Sequence, residues 1–243
     1  MTATKRLFAH SMMALALLCG VGSLALFVAV PAGSLGLVRL QWPEAGLLCW
    51  DGFLSLAFFL QHSGMVRRGF RARVAGLVPP RYYRAVYSIA SGLALSMVVL
   101  LWQPSGNHLL ALGGLARRIA QGGVVLAIAV FAWSAVALRG FDGFGLAPIL
   151  AYLRGTTGLP PVFVVRGPYR WVRHPWYLCA LILFWSCTDL TADRLLFNVL
   201  WTAWICVGAR FEEADLVSDF GDAYDAYRRK VPMLIPWHGP ATL

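Results

Sequence analysis

Charged and aromatic residues stand directly before an apolar segment in RGPYRWVRHPWYLCALILFW, residues 166–185. Pro175 suits the first turn of a helix, where its missing N–H costs nothing. His174 then lies at the helix start, where free N–H groups and the helix dipole favour a carboxylate or phosphate. Four nearby aromatic rings can stack on an adenine or attract a cation such as a sulfonium. They are Tyr169, Trp171, Trp176 and Tyr177. The run predicts a site for a polar ligand, with an interfacial aromatic belt as the alternative for each single ring.

A second polar cluster, ARFEEADL at 209–216, ends the last apolar segment. Carboxylates at a membrane mouth are costly unless they are paired, and at a helix C-terminus they oppose the helix dipole. The dipole argument weakens if the helix continues into the tail. Of Glu212 and Glu213, we expect one to accept ribose hydroxyls and the other to pair with Arg210 or Arg173. Ordinary solvated charge at a helix end is the alternative.

A third polar group lies within an apolar segment. Asp51, Ser55 and His62 fall near one face of a helix, since eleven residues make about three turns. An Asp and a His on one intramembrane face predict a proton path or a substrate site. The alternative is that His62 lies at the headgroup level and bonds a carbonyl.

Other common motifs are absent or lack their context. The pattern GxGxxA at 20–25 lies inside an apolar segment with no strand before it, so we predict no Rossmann domain. Small residues there favour close helix packing instead. No pair of cysteines has CxxC spacing, so we predict neither a metal site nor a disulfide framework. The cysteines are Cys19, Cys49, Cys179, Cys187 and Cys206.

The elements that position these residues are membrane helices. The chain has 243 residues, of which 59% are hydrophobic and only 13% charged, and its mean hydropathy is +0.65. Soluble domains are roughly 25% charged, so we predict a polytopic membrane protein. Six apolar segments are visible, and the shorter last two are expected to form a tight helical hairpin. They are about 7–31, 44–63, 83–102, 118–138, 176–188 and 195–210.

The net charge of +10 is explained by topology. With the N-terminus inside, all but four of the 21 Lys and Arg residues fall on the cytoplasmic side. The exceptions are Arg39, Arg117, Arg118 and Arg194. We therefore expect both termini in the cytoplasm, a bacterial inner membrane as location, and anionic lipid headgroups rather than nucleic acid as counterions.

The character of the chain changes near residue 139. Residues 1–138 contain four hydrophobic helices and the sequence Gln61-His62-Ser63, which we call the QHS motif. Residues 139–243 begin with a Gly/Pro-rich run whose length is typical of functional loops. In the tail, apolar residues from Leu216 to Tyr227 recur at helical spacing opposite three aspartates. We thus predict an all-α integral membrane protein of about six hydrophobic helices, with a C-terminal amphipathic cytoplasmic helix.

The sequences GPYRWVRHPWY and EEADLVSDFGDAYDAYRRKVPMLIPW, within about 164–237, resemble the C-terminal signature of the isoprenylcysteine carboxyl methyltransferase family. The resemblance implies a membrane enzyme with a cytoplasmic S-adenosylmethionine pocket formed by the last two helices and the tail. The cofactor contacts that it implies are Tyr169, His174, Pro175, Tyr177 and Glu212, with Val162, Phe163 and Val164 lining the adenosyl pocket. Leu178-Cys179 departs from the Gly that commonly follows HPxY in the family.

A further stretch, FFLQHSGMVRRGFR at 58–71, resembles the QHSxMAR-type motif of the NnrU-like family and of the bacterial methanethiol S-methyltransferases, which join both motifs in one chain. This implies S-methylation of a small or lipophilic thiol, with methanethiol as the leading expectation. A nearby cation favours thiolate. Arg173 and Arg210 are the candidates for that cation, and His62 or Glu213 for the proton acceptor.

Three alternatives stay open. One is carboxyl O-methylation of an isoprenylcysteine-like substrate, or N-methylation of a lipid amine. The second is a haem-binding membrane protein of the NnrU or carotene-isomerase kind, with His62 as axial ligand. The third is a structural membrane subunit. That alternative leaves two motifs unexplained, the RHP motif at 173–175 and the EE motif at 212–213. The expected partners are the bilayer and a small hydrophobic or thiol substrate, and the sequence predicts no particular oligomeric state.

Overall fold

The computed structural model describes residues 2–29, 36–138, 142–156 and 163–242. Val162, an expected cofactor contact, and Arg139, used for the topology, lie outside these ranges. The described chain is mainly helical, with one short 3-10 helix, Gly167–Arg170, and two short strands. The helices are α1 (Ala3–Ala29), α2 (Glu44–Val66), α3 (Arg68–Val74), α4 (Pro80–Leu101), α5 (Gly114–Ala137), α6 (Ala147–Arg154), α7 (Pro175–Trp185), α8 (Ala192–Phe220) and α9 (Asp222–Lys230).

Four of these helices are long and apolar enough to cross a membrane: α1, α4, α5 and α8. Their mean hydropathies lie between 1.2 and 2.3, and helices of 22 to 29 residues exceed the roughly 20 residues that span a hydrocarbon core. These helices support the prediction of an integral membrane protein built from helices. The second predicted segment also forms a helix, α2, which is not among the four.

The predicted hairpin of two short helices needs correction. α7 is short, with 11 residues, but α8 has 29 and continues ten residues beyond the expected end at 210. Its polar second half stays helical because Glu213 is paired and because nothing before Gly221, where φ is +56°, breaks the helix. Glu212 and Glu213 therefore lie within a helix and not at its C-terminus, so the helix dipole does not disfavour their charges.

Two compact units group the described residues by packing, and they do not follow the chain order. One comprises residues of Met1–Pro104 and Asp142–Pro160, the other residues of Ser105–Phe141 and Pro161–Leu243. α5 therefore packs with the C-terminal elements. The functional division predicted near residue 139 stays a prediction.

In the first unit, α4 packs along α1 and α2, and a glycine of α4 permits close approach to α1. A Cβ added to Gly92 on α4 would lie 2.4 Å from the carbonyl oxygen of Cys19 on α1. Gly20, part of the GxGxxA pattern, faces the ring of Phe144 instead, at 2.4 Å from such a Cβ. The glycines of that pattern thus lie in a helix, and Gly20 makes room for a neighbouring ring.

In the second unit, α5 packs against α7, and the strands β1 (His108–Ala111) and β2 (Asp189–Thr191) pair antiparallel. This small sheet is the exception to the predicted all-α fold. Asp193, which is 3% exposed, accepts hydrogen bonds from the backbone N–H of Ser105 (3.0 Å) and the hydroxyl of Thr191. Asp193 therefore organises the connection that leads into α8.

Candidate active site

The opening motif forms a turn that leads into α7. Gly167 has φ +54° and begins the 3-10 helix, and Pro175 is the first residue of α7. His174 precedes α7 as its N-cap residue and is 7% exposed. The predicted helix start is thus in place. The pairing of the residues just before it with the C-terminal tail was not predicted.

Backbone hydrogen bonds join this turn to the tail. The N–H of Arg173 donates to the carbonyl of Pro232 (2.9 Å), and the N–H of His174 donates to that of Met233 (3.1 Å). Further along, Ala241 N–H donates to Arg170 O, and Arg170 Nε donates to Ala241 O, both at 2.9 Å. The tail therefore fixes the backbone of the RHP motif from outside α7.

The carboxylate of Glu213 is held by two neighbouring residues of the RHP motif. Its Oε1 lies 2.6 Å from Arg173 Nε and 3.1 Å from His174 Nε2, and its side chain is 9% exposed. A carboxylate this buried requires a charged partner, because desolvation penalises its ionised form. Glu213 and Arg173 thus form a nearly buried ion pair that also orients the histidine ring.

The neighbouring Glu212 has a different environment. Its Oε2 accepts a hydrogen bond from Tyr177 Oη (2.7 Å) and lies 3.6 Å from His174 Nδ1. Its side chain is 48% exposed, and its Oε1 makes no hydrogen bond with the described part of the chain. The rings of His174 and Tyr177 stack above this carboxylate pair, with centroids 5.2 Å apart and planes 12° apart. Glu212 therefore keeps acceptor capacity for a ligand.

Arg173 also donates hydrogen bonds to the tail. Its Nη1 donates to the carbonyl of Arg228 (3.0 Å) and to that of Val231, at the end of α9. Its side chain is only 10% exposed. The guanidinium thus joins α8 to the C-terminal end of α9, where a positive charge also complements the helix dipole.

Arg210, the other predicted cation, lies on α8 one turn before Glu213 and is exposed. It makes no ion pair or side-chain hydrogen bond with another described residue. Of the two arginines expected beside the carboxylates, the structure therefore brings only Arg173 into contact with one of them.

An aromatic cluster lies behind the carboxylates. Phe163 contacts the rings of Phe220, Tyr224 and Tyr227, with centroid distances of 5.4, 5.7 and 5.4 Å. Tyr227 Oη donates to the carbonyl of Tyr169 (2.7 Å). The tail residues that were predicted as the apolar face of one helix are thus divided between α8 and α9, and together they hold the 163–169 segment.

The tyrosines around this site stay protonated at neutral pH. Burial, and then the charge of Glu212, raise the pKa of Tyr169 well above its usual value. Burial also raises the pKa values of Tyr224 and Tyr227. These tyrosines can donate hydrogen bonds, but they are not bases.

His62 lies in the first unit, between α2 and α4. Its ring stacks on Phe58, with centroids 5.1 Å apart, and the hydroxyl of Tyr87 lies 3.1 Å from its ring nitrogens. Gln61 in the same motif donates to Ser91 Oγ (3.3 Å). Asp51 and Ser55 are fully buried, and Asp51 Oδ1 accepts from the N–H of Gln103 (2.9 Å). Asp51 thus has a structural partner of its own.

Some contributors to the site have no motif that marks them. Pro232 and Met233 act through backbone carbonyls, which any residue type can supply. The helical spacing of the tail predicts that Tyr224 and Tyr227 are buried, but it does not predict that they contact Phe163.

Comparisons with known proteins identify the family of the chain. No family model matches the chain, and no solved structure matches it. The chain is 35% identical over 202 residues to a methanethiol S-methyltransferase of a Pseudomonas strain, covering 81% of this chain and 75% of that protein. It is also 35% identical over 181 residues to a methanethiol S-methyltransferase of Mycobacterium tuberculosis, covering 74% of each.

A shorter similarity concerns a second kind of methyltransferase. The chain is 38% identical over 78 residues to the protein-S-isoprenylcysteine O-methyltransferase of Schizosaccharomyces pombe, covering 31% of this chain and 33% of that protein. This match supports the wider superfamily, and the longer ones confirm the closer resemblance that both motifs predicted. The chain is a membrane methyltransferase and belongs to the methanethiol S-methyltransferase family.

Proposed function

We propose that the protein uses S-adenosylmethionine to methylate the sulfur of a small or lipophilic thiol, with methanethiol as the leading substrate and dimethyl sulfide as its product. The observation that carries the proposal is Glu212, a half-exposed carboxylate with one oxygen bonded to Tyr177 and the other oxygen available. The names of the relatives support the choice of a thiol.

The residues of the site fit this cofactor. A carboxylate with a spare acceptor suits the hydroxyls of a ribose, and the stacked rings of His174 and Tyr177 supply flat faces. A sulfonium cation is attracted by aromatic faces and by negative charge, and both are present around Glu212. We assign Tyr169, His174, Pro175, Tyr177 and Glu212 to cofactor binding, with Val162, Phe163 and Val164 as pocket wall.

The chemistry requires alignment more than acid–base power. When bound, S-adenosylmethionine supplies an electrophilic methyl group, and its transfer to a thiolate forms one carbon–sulfur bond, breaks another and leaves S-adenosylhomocysteine. The chain must hold the thiol in line, exclude water and accept the thiol proton. Arg210 remains the candidate cation that favours the thiolate, and His62 the candidate proton acceptor. The contacts of Arg173 and Glu213 favour a positioning role for both, because each is occupied by the other.

Cofactor binding is tested with S-adenosylhomocysteine and the purified full-length protein. We expect Glu212→Ala and His174→Ala to weaken binding roughly 10-fold or more, the loss of about one charge-assisted hydrogen bond. Asp219→Ala, on the same helix, is the control, since Asp219 is exposed and outside the proposed pocket. Titration calorimetry measures the affinity. Unchanged binding in both variants would show that the pocket lies elsewhere.

The substrate is tested with a panel of thiols, prenylated carboxylates and lipid amines and a methyl-labelled cofactor. We expect label in methanethiol and other small thiols. If the labelled methyl group is transferred to a carboxylate or an amine while every thiol stays unmethylated, the proposal is wrong and its runner-up replaces it. That runner-up, carboxyl methylation of an isoprenylcysteine-like substrate, is supported by the match over 78 residues. A Soret band in the purified protein would instead support haem at His62.

The membrane arrangement belongs to the same proposal. We place both termini in the cytoplasm of a bacterial cell, and the protein in its inner membrane. Residues 1–138 form the N-terminal membrane region, and 139–243 carry the cofactor. Six hydrophobic helices, α1, α2, α4, α5, α7 and α8, form the membrane part, and α9 is an amphipathic cytoplasmic helix whose buried Tyr224 and Tyr227 lie opposite exposed charges.

A further inference from the structure

A strongly basic surface lies in the first unit, at the start of α4 and on α3. Arg71 and Arg73 are on α3, Arg81 is near the first residue of α4, and all three side chains are exposed. We call these three residues the basic surface. α4 is one of the helices that can cross a membrane, so the basic surface lies at the end of a spanning helix, at the level of lipid headgroups.

No acidic residue is near this surface in the sequence. Between Asp51 and Asp142 the chain contains neither Asp nor Glu. Within the part of the chain that the structure describes, no carboxylate pairs with any of the three arginines. Their charge is therefore left for an external anion, and the attraction is strongest where solvent is partly excluded.

Two of the guanidinium groups are held in place by tyrosine rings. Arg81 lies over the ring of Tyr152 at 4.2 Å and over that of Tyr82 at 5.1 Å, and Arg71 lies over Tyr83 at 5.4 Å. Stacking occupies the flat face of a guanidinium and leaves its N–H edges to donate. A planar fork of donors held in this way suits the oxygens of a phosphate.

Apolar side chains accompany the arginines. Phe70 on α3 is 37% exposed, and Leu77, between α3 and α4, is 83% exposed. Basic residues interleaved with exposed apolar ones are typical of a segment that lies in the membrane interface, with its apolar groups at the acyl boundary. This mixture favours a lipid over a soluble anion as the partner.

We propose that the basic surface binds the headgroup phosphates of anionic phospholipids in the leaflet next to α3. The inference does not depend on the methyl-transfer reaction. Each arginine near an anionic surface contributes roughly fivefold to binding, so three arginines are sufficient for a measurable preference over zwitterionic lipid.

The test offers the purified full-length protein an equal mixture of phosphatidylglycerol and phosphatidylcholine and counts the bound lipids by native mass spectrometry. We expect the wild type to retain phosphatidylglycerol roughly 100-fold more often, and R71Q/R73Q/R81Q to lose that preference. The matched control is R39Q/R117Q/R118Q, which removes the same charge from three other exposed arginines. It should keep the preference.

Equal loss in both triple variants would overturn the proposal, because net charge alone would then explain binding. Displacement of the bound lipid by millimolar inorganic phosphate would overturn it too, since the surface would then take a free anion. If the R71Q/R73Q/R81Q protein does not fold, the three single variants replace it. Each should lower the preference, and an unchanged preference in all three would contradict the inference.

Discussion

Glu212 and Glu213 are neighbours in the chain, but their carboxylates have different surroundings. Successive residues on a helix point about 100° apart, so Glu213 turns towards Arg173 while Glu212 turns towards Tyr177 and solvent. Glu213 is nearly buried and contacts Arg173 and His174 through its Oε1, whereas Glu212 is half-exposed and its Oε1 has no hydrogen bond within the described residues. At the scale of single residues, these surroundings fit the proposal that Glu213 positions its neighbours and that Glu212 binds the ligand.

Replacing Arg173 tests the positioning role. A lysine keeps the charge but cannot reach Glu213 and the α9 carbonyls at once, because its ammonium is a single point on a flexible stem. We expect Arg173→Lys to weaken S-adenosylhomocysteine binding roughly 10- to 100-fold, the range for one or two hydrogen bonds to charged groups. Calorimetry measures the affinity. Arg166→Lys, an exposed arginine of the same motif, should bind as the wild type does, and equal binding by both variants would remove the positioning role.

His62→Gln tests whether that histidine accepts the thiol proton. An alkanethiol is largely protonated at neutral pH and needs an acceptor, whereas an arylthiol of lower pKa supplies thiolate by itself. We expect the rate with methanethiol to fall roughly 100-fold, within the usual range for general base catalysis, and the rate with the arylthiol to fall much less. Labelled methyl transfer measures both rates. An equal fall for both thiols, or none, argues against proton acceptance.

At the scale of elements, the tail is part of the site. α9 and the residues after it supply the carbonyls of Arg228, Val231, Pro232 and Met233 to the RHP motif. α8 carries both glutamates because it runs on to Phe220. The helical spacing of the tail was predictable, but the break at Gly221 divides it between two helices. A sequence pattern indicates which face is buried, and it does not indicate what covers it.

The close packing of α1 and α4 predicts opposite effects on stability for two glycine-to-alanine variants. Gly92→Ala places a methyl group 2.4 Å from the Cys19 carbonyl oxygen, so the helices must separate, and we expect a loss of about 1–3 kcal/mol. Gly22→Ala has nothing within 4 Å, and alanine favours a helix by up to about 1 kcal/mol over glycine. Thermal unfolding in detergent should show a lower midpoint for the first variant and an equal or higher one for the second. Equal shifts in one direction would contradict this packing.

At the scale of the molecule, hydropathy and charge determine the class of protein. Four long apolar helices indicate a membrane protein, and the distribution of the arginines predicts that its basic face is cytoplasmic. The two packing units do not follow the chain order, because α5 belongs to the unit of the C-terminal elements. Which helices pack together depends on side chains distant in sequence, so the charge pattern predicts topology but not these neighbours.

The topology has a direct test. A green fluorescent protein fused after Leu243 should fluoresce, and alkaline phosphatase at the same place should be inactive, because the positive-inside rule puts this end in the cytoplasm. Inserting each reporter between β1 and α5, on the predicted outer side, should reverse both signals. An active phosphatase at the C-terminus would invert the proposed orientation.

The sequence by itself determined the membrane class, the helix start at Pro175 and the family, because apolar length, proline geometry and motif spacing are local properties of the chain. Only the tertiary structure decided which glutamate pairs with Arg173, that Arg210 stays exposed, and that tail carbonyls hold Arg173 and His174. These contacts join residues that are forty to sixty positions apart. Whether such distant residues come into contact depends on how α8 and α9 pack, and a local sequence pattern does not predict that packing.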